Sequence, residues 1–263
     1  MCAGLIGSVL GLGGGIVVVP FLTLVLHVDI RFAVAASLVS VVATSSAAAA
    51  SFLRDRLTNV RLAVFLELGT VSGALTGFFI AQRIESDSLF TLFGCLLLVS
   101  SGMMLRSRSH QMGRANHPWV EKLKLDGTIV DAAGHAYPYF VERAPFGLCA
   151  MYLAGVLSAL FGIGSGILKV PVMDGVMRLP IKVSSATSNF MIGVTASAGA
   201  VGYFVRGDIR PQIAGPVALG IIVGAWMGAR LMPLLPVAWI RRVFVVVLCL
   251  TGLQMIARGL GWR

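Results

Sequence analysis

Lys169 is the only lysine lying well inside an apolar stretch of this 263-residue chain, and it follows a glycine cluster by about one helical turn. A charge in such surroundings is expensive and usually faces a cavity or a partner. The cluster Gly162-Ile-Gly-Ser-Gly166 should interrupt a helix: Gly164, Ser165 and Gly166 weaken its continuity and let the backbone open. A helix restarting there would point unpaired N–H groups and its positive dipole end at the opening, an arrangement that attracts anions. Gly13, Gly14 and Gly15 form a similar break early in the chain. Pro20 and Pro171 each remove a backbone hydrogen bond a turn later and favour a kink. Bland readings stand beside this one. Small residues also serve close helix packing, and Lys169 could snorkel to an interface or pair with Asp174.

Uncharged polar side chains come next. Ser37, and then Thr187, Ser188 and Asn189, occupy matched stretches, and hydroxyls and an amide can replace the hydration shell of an oxyanion. They serve routine helix contacts equally well, but an amide in lipid needs partners, which singles out Asn189. Glu67 interrupts another apolar run. Burial favours a neutral carboxyl and would suit it to proton coupling, or it could form an interfacial ion pair near Arg61. His27, His110, His117 and His135 lack ligand spacing, and Cys2, Cys95, Cys149 and Cys249 stand alone as buried inert thiols, so neither metal nor cofactor is expected. No nucleophile–base constellation suggests an enzyme, and no Walker motif suggests direct use of ATP.

The elements that must position these groups are membrane helices. The chain is 57% hydrophobic and 12% charged, and stretches such as 32–53 and 211–229 carry no charge, long enough to cross a bilayer. Helices are required there because lipid offers no partner to an unpaired backbone amide. Segments are expected at 1–27, 32–53, 61–82, 88–105, 146–178, 183–205, 211–232 and 237–257, in two groups of four. The fold class is thus an all-α integral membrane protein: an N-terminal repeat over 1–105, a polar loop over 106–145, and a C-terminal repeat over 146–263. The net charge of +10 sits mainly in loops, as the positive-inside rule expects of a cytoplasmic face, and argues against nucleic acid as a partner. The chain start lacks the basic region of a cleavable signal peptide. In the loop, the alternation from Glu121 to Asp131 with a turn at Asp126-Gly127 predicts a short β-hairpin, read as a solvated connector or a regulatory flap.

The two glycine breaks are related. Gly11 to Pro20 overlies Gly162 to Pro171 at a constant offset of 151, and Ala35/Ala186, Ser37/Ser188, Thr44/Thr195, Gly69/Gly220, Gly73/Gly224 and Gly77/Gly228 keep that register. Met1 falls opposite Tyr152, so either the first helix is short or the protein starts upstream. Duplicated halves, each with a broken helix, suggest a transporter with internal repeats. The repeats are parallel if all eight segments cross, the preferred reading, and inverted if the glycine-rich segments dip in and return.

The paired motifs Gly-Leu-Gly-Gly-Gly-(x)4-Pro from Gly11 and Gly-Ile-Gly-Ser-Gly-(x)4-Pro from Gly162, with Ala35-Ala-Ser-Leu38 and Ala186-Thr-Ser-Asn-Phe-Met191, resemble the TauE/SafE-like, or toluene-sulfonate uptake permease, family. The likeness spans the chain apart from the loop. Ala36 stands where that family often has Thr, as at Thr187, and the loop exceeds a minimal connector. The resemblance implies a duplicated four-helix unit in the bacterial inner membrane. It also implies transport of sulfur anions such as sulfite and sulfonates, often outward. The expected partners are a small anionic substrate, membrane lipid and, as an open alternative, further copies of the chain. Access would alternate as the halves rock; an anion channel, or a sensor working through 106–143, would be the rivals.

Overall fold

The computed structural model describes residues 1–55, 57–81, 86–106, 118–130, 136–161 and 166–260. Where the sequence promises its first membrane segment, the chain forms helix α1 (Cys2–Leu10), a glycine break, helix α2 (Gly15–Pro20) and a π-helical turn over Phe21–Val25. Long helices follow: α3 (Ile30–Arg54), α4 (Val60–Ala81) and α5 (Ser86–Arg106). The central loop holds a short helix α6 (Pro118–Leu123) and strands β1 (Gly127–Val130) and β2 (Ala136–Tyr139). Then come α7 (Ala144–Phe161), α8 (Gly166–Pro171), a second π-helical turn (Val172–Val176), α9 (Ile181–Val205), α10 (Pro211–Leu231) and α11 (Val237–Gly259).

Among the described residues, five helices are long and apolar enough to cross a membrane: Arg31–Arg54, Val60–Ile80, Ile181–Val205, Pro211–Leu234 and Ala238–Gly259. The protein is therefore a multi-pass membrane protein. Ala144–Leu160 is a shorter apolar helix, and the first glycine-rich segment is divided by its glycines into α1 and α2.

The prolines explain the π turns. Proline has no N–H to donate, so the helix after it widens to regain its bonds. Leu26 N donates to Phe21 O at 3.3 Å and Val28 N to Leu22 O at 2.9 Å. After Pro171, Met177 N donates to Val172 O at 3.0 Å and Leu179 N to Met173 O at 2.9 Å. Left-handed residues close both turns, His27 at φ 52° and Arg178 at φ 56°.

The closest helix contacts join early elements to late ones. Helix α4 packs on α7, α1 on α10, α3 on both α9 and α10, and α5 on α11. Glycine makes two of these pairs possible: a Cβ on Gly73 would overlap the carbonyl oxygen of Tyr152, and one on Gly224 would overlap that of Met1. Backbones this close gain dispersion and carbonyl contacts that lipid cannot replace. Thiols expected in the interior lie elsewhere: Cys2, Cys95 and Cys149 are exposed and Cys249 is half-exposed. In a membrane protein, outward apolar positions are covered by lipid, so an apolar neighbourhood in the sequence does not imply burial in protein.

The loop differs in detail from the expected hairpin. Strands β1 and β2 do pair antiparallel, Gly127 opposite Tyr139 and Val130 opposite Ala136, but Asp126 and Gly127 lead into the ribbon rather than turn it. The alternating Glu121-Lys-Leu-Lys residues instead close α6, with Lys124 left-handed at φ 48°. Asp126 serves elsewhere, where its carboxylate accepts from Val141 N at 2.8 Å. Val120, Leu125 and Val141 are buried against Leu62, Leu66 and Met177, so the described part of the loop is docked on the start of α4. Burial pushes the Tyr139 phenol up, with a hydrogen bond from Asn59 opposing and Asp126 adding. Asn59 is the tie: its Nδ2 donates to Leu125 O at 2.7 Å and to Tyr139 Oη at 3.1 Å. Asn59→Ala should free both acceptors at a cost of about 1–2 kcal/mol, visible as faster protease cleavage in the loop while the transmembrane core resists.

Candidate functional site

The first break is built by three left-handed glycines, Gly11 (φ 73°), Gly13 (φ 74°) and Gly14 (φ 73°). Residues other than glycine rarely adopt this conformation, so the run permits a reversal that ordinary residues would resist. Leu12 N donates to Gly7 O at 2.8 Å, and a Cβ on Gly7 would overlap Gly14 N. The chain thus folds tightly over the end of α1 before α2 begins at Gly15.

That end leaves carbonyls needing donors, and α9 supplies them. Asn189 Nδ2 donates to Ser8 O at 2.7 Å, Ser188 Oγ to Gly11 O at 2.8 Å, and Ser185 Oγ to Leu10 O at 3.4 Å. Asn189 Nδ2 also donates to Ser185 O at 3.1 Å, while Ser45 Oγ on α3 donates to the Asn189 carbonyl at 2.5 Å. In this conformation Ser188 spends its donor on the break, and Asn189 divides its two between the end of α1 and the Ser185 carbonyl of its own helix. Asn189→Ala would orphan a buried carbonyl, at a cost of about 1–3 kcal/mol, and is expected to lower the thermal midpoint of the detergent-solubilised protein.

The other sequence-selected groups scatter around this junction. Thr187 Oγ1 accepts from Asn59 N at 3.1 Å, which links it to the docked loop. Ser37 is fully buried, and its hydroxyl has no partner among the described residues. Gly166 abuts the first break, since a Cβ there would overlap Gly11 O; Gly164 and Ser165 lie outside the described residues. The start of α8 and the end of α1 are therefore brought together in space.

Lys169 is fully buried, and its ion-pair partner is Glu67 rather than Asp174. Its ammonium donates to Thr195 Oγ1 on α9 at 2.7 Å and to Glu67 Oε2 on α4 at 3.4 Å. Thr195 in turn donates to Glu67 Oε1, and Thr70 Oγ1 lies 3.3 Å from the Thr195 hydroxyl. Asp174 instead pairs with Arg241 at the start of α11, at 3.2 Å. Neither Lys169 as a snorkelling residue nor Glu67 paired with Arg61 describes the arrangement. The sequence holds both charges but no signal that joins them, because 102 positions separate them. Sequence reasoning also misses Thr195 and Thr70 as members of the cluster; the available clue is the register pairing Thr195 with Thr44.

The two charges differ in access. Glu67 keeps 12% of its side chain exposed whereas Lys169 keeps none. Glu67 opens onto a groove of about 510 Å³ between α4 and α9, lined largely by apolar side chains such as Val64, Leu68, Val71, Phe190 and Val194. The arrangement holds one cation and one anion between α4, α8 and α9, and it offers the carboxylate, not the ammonium, to the groove.

Comparison with known proteins places these features. The profile of the family described as "Sulfite exporter TauE/SafE" matches residues 1–255, and the chain belongs to that family. The probable membrane transporter protein YunE of Bacillus subtilis is 29% identical over 275 residues, covering 99% of this chain and 96% of that protein. The probable membrane transporter protein MJ0441 of Methanocaldococcus jannaschii is 26% identical over 270 residues, covering 96% and 91%. No solved structure matches the chain. Family and relatives point to a membrane transporter rather than an enzyme.

Proposed function

We propose that this TauE/SafE family member is a secondary transporter of small anions, sulfur-containing oxyanions or organosulfonates, that carries them outward across a bacterial inner membrane by alternating access. The single observation behind this reading is Lys169, a buried ammonium one turn into a helix that restarts beside the first glycine break. Ammonium groups in lipid mark substrate or ion paths. The family's description supplies the sulfur anion.

The chain is a duplicated four-plus-four unit in this reading. Support comes from the constant sequence offset and from the π turns, whose hydrogen bonds and closing left-handed residues recur at that same offset. The substrate would sit where the breaks meet, between Gly13, Gly14 and Gly15 and the start of α8, within reach of Lys169 and the hydroxyls of Ser37 and Thr187. Ser188 and Asn189 would join it only by releasing the α1 carbonyls. Glu67 would carry the coupling proton. Since the tightly packed pairs α4–α7 and α1–α10 each cross between halves, the bodies that rock would be mixed, not the sequence halves themselves.

Purified protein in liposomes, given labelled sulfite or methanesulfonate under an imposed proton gradient, tests the reading. Saturable movement that accumulates the anion above its outside concentration supports it. Flux that only runs downhill makes the protein a channel, and absence of flux from folded protein removes the substrate class.

A further inference from the structure

Glu67 already occupies the ammonium that the substrate is meant to use. An anion arriving at Lys169 must therefore either displace the carboxylate or arrive when the carboxylate is neutral. Displacement would leave a bare carboxylate in an apolar groove, an expensive state. Protonation removes that cost, since a neutral acid needs only a hydrogen bond, and the Thr195 hydroxyl stands beside it to provide one.

We propose that Glu67 and the transported anion are rival partners of Lys169, so that uptake of one proton by Glu67 is what admits one anion. This rests on the anion-transporter reading above and supplies its coupling step. The geometry gives each partner a separate side. The carboxylate meets the groove between α4 and α9, while the ammonium is hidden behind it and roots in α8, whose first residue touches the glycine break. Neither can leave alone without stranding a charge: losing the proton first restores a carboxylate that competes with the anion, and losing the anion first leaves the ammonium bare until Glu67 ionises.

Among the described residues, the neighbouring elements bring no competing charge. Helix α7 carries none between Ala144 and Phe161. On α9, Lys182 Nζ donates to Pro233 O at 2.7 Å, and Asp174, beyond α8, is held by Arg241. Arg61 lies nearly two turns from Glu67 along α4 and is exposed. Among the described residues, Lys169 is the one charged group bonded to Glu67. One fixed cation facing one carboxylate sets the stoichiometry at one proton per monovalent anion, an electroneutral pair that moves in one direction. Outward movement therefore runs down the anion's own gradient, and the inward proton gradient opposes it.

Methanesulfonate is the probe, because it stays fully ionised and takes up no protons itself. Its binding to the detergent-purified full chain is measured by calorimetry from alkaline to mildly acidic pH, in buffers of different ionisation enthalpy so that protons are counted. Affinity should rise by at least about tenfold as pH falls, with close to one proton taken up per anion on the alkaline side. Glu67→Gln should bind at alkaline pH as tightly as the wild type binds at acid pH, lose the pH dependence, and take up no proton. Wild-type binding that is pH-independent, or that takes up no proton on the alkaline side, overturns the inference while leaving the transporter reading intact. Wild-type behaviour retained in Glu67→Gln overturns it as well. No binding of methanesulfonate at any pH overturns the inference and counts against the transporter reading together. Should Glu67→Gln fail to fold, the wild-type proton count still decides.

Discussion

In liposomes, Lys169→Ala is expected to cut saturable anion flux by about 100-fold or more, while the protein still inserts and folds. A charge-assisted hydrogen bond to a desolvated anion is worth about 1.5–3 kcal/mol, and the variant also loses the field of a fully buried ammonium. Stability suffers too. Truncating one member of a buried pair typically costs about 3–5 kcal/mol because the other charge is left alone. Lys169→Ala combined with Glu67→Gln removes both charges and should recover much of the lost thermal stability. It should not recover flux. Recovery of flux by the double variant would make Lys169 a structural counter-ion and take the substrate away from α8.

Gly73→Val should be the most damaging single change to folding. Its Cβ alone would overlap the Tyr152 carbonyl oxygen, and both α4 and α7 would have to separate along a contact that Gly77 and Gly155 also keep tight. Overpacking typically costs about 1–3 kcal/mol where side chains can yield. Here backbone opposes backbone, so the upper end or beyond is expected, read as loss of a monodisperse peak in detergent. Gly102→Ala is the matching control, since a Cβ there meets nothing within 4 Å. It should be neutral or stabilising by up to about 1 kcal/mol through helix propensity. Equal loss in both variants would refute the interface explanation.

Long, predominantly apolar runs make α3, α4, α9, α10 and α11 legible in the sequence, because hydrophobic length is what a bilayer selects. The break at Gly11–Gly14 is legible from local composition: three consecutive glycines, Gly13 to Gly15, weaken a helix wherever they fall. What stays hidden depends on distance in the chain. Asn189 stands out in the sequence as an amide in need of partners, but its partner is a carbonyl 181 residues away. For Lys169 and Glu67 the sequence offers a nearby opposite charge, Asp174 and Arg61, and each finds a remote one instead. Local spacing favours near neighbours, whereas helix packing in a bilayer makes pairs without regard to sequence. The loop hairpin is half legible: strand content can be read from alternation, but Asp126 looks like a turn residue only because its tertiary acceptor role toward Val141 leaves no mark.

The crossing of α4 onto α7 and of α1 onto α10 has a consequence for how such a chain can be divided. Gly73 and Gly77 fit Tyr152 and Val156, while Gly224 and Gly228 fit Met1 and Leu5; each half's narrowest face is shaped for the other half. A fragment ending after α5 would show two bare glycine grooves to lipid, and so would its complement. Severed between α5 and α6 and produced together, the two pieces should find one another and rebuild the whole, as two subunits of an obligate pair do. The covalent link would then serve mainly to hold them at high effective concentration, and the chain would behave as two interlocked pieces written as one polypeptide.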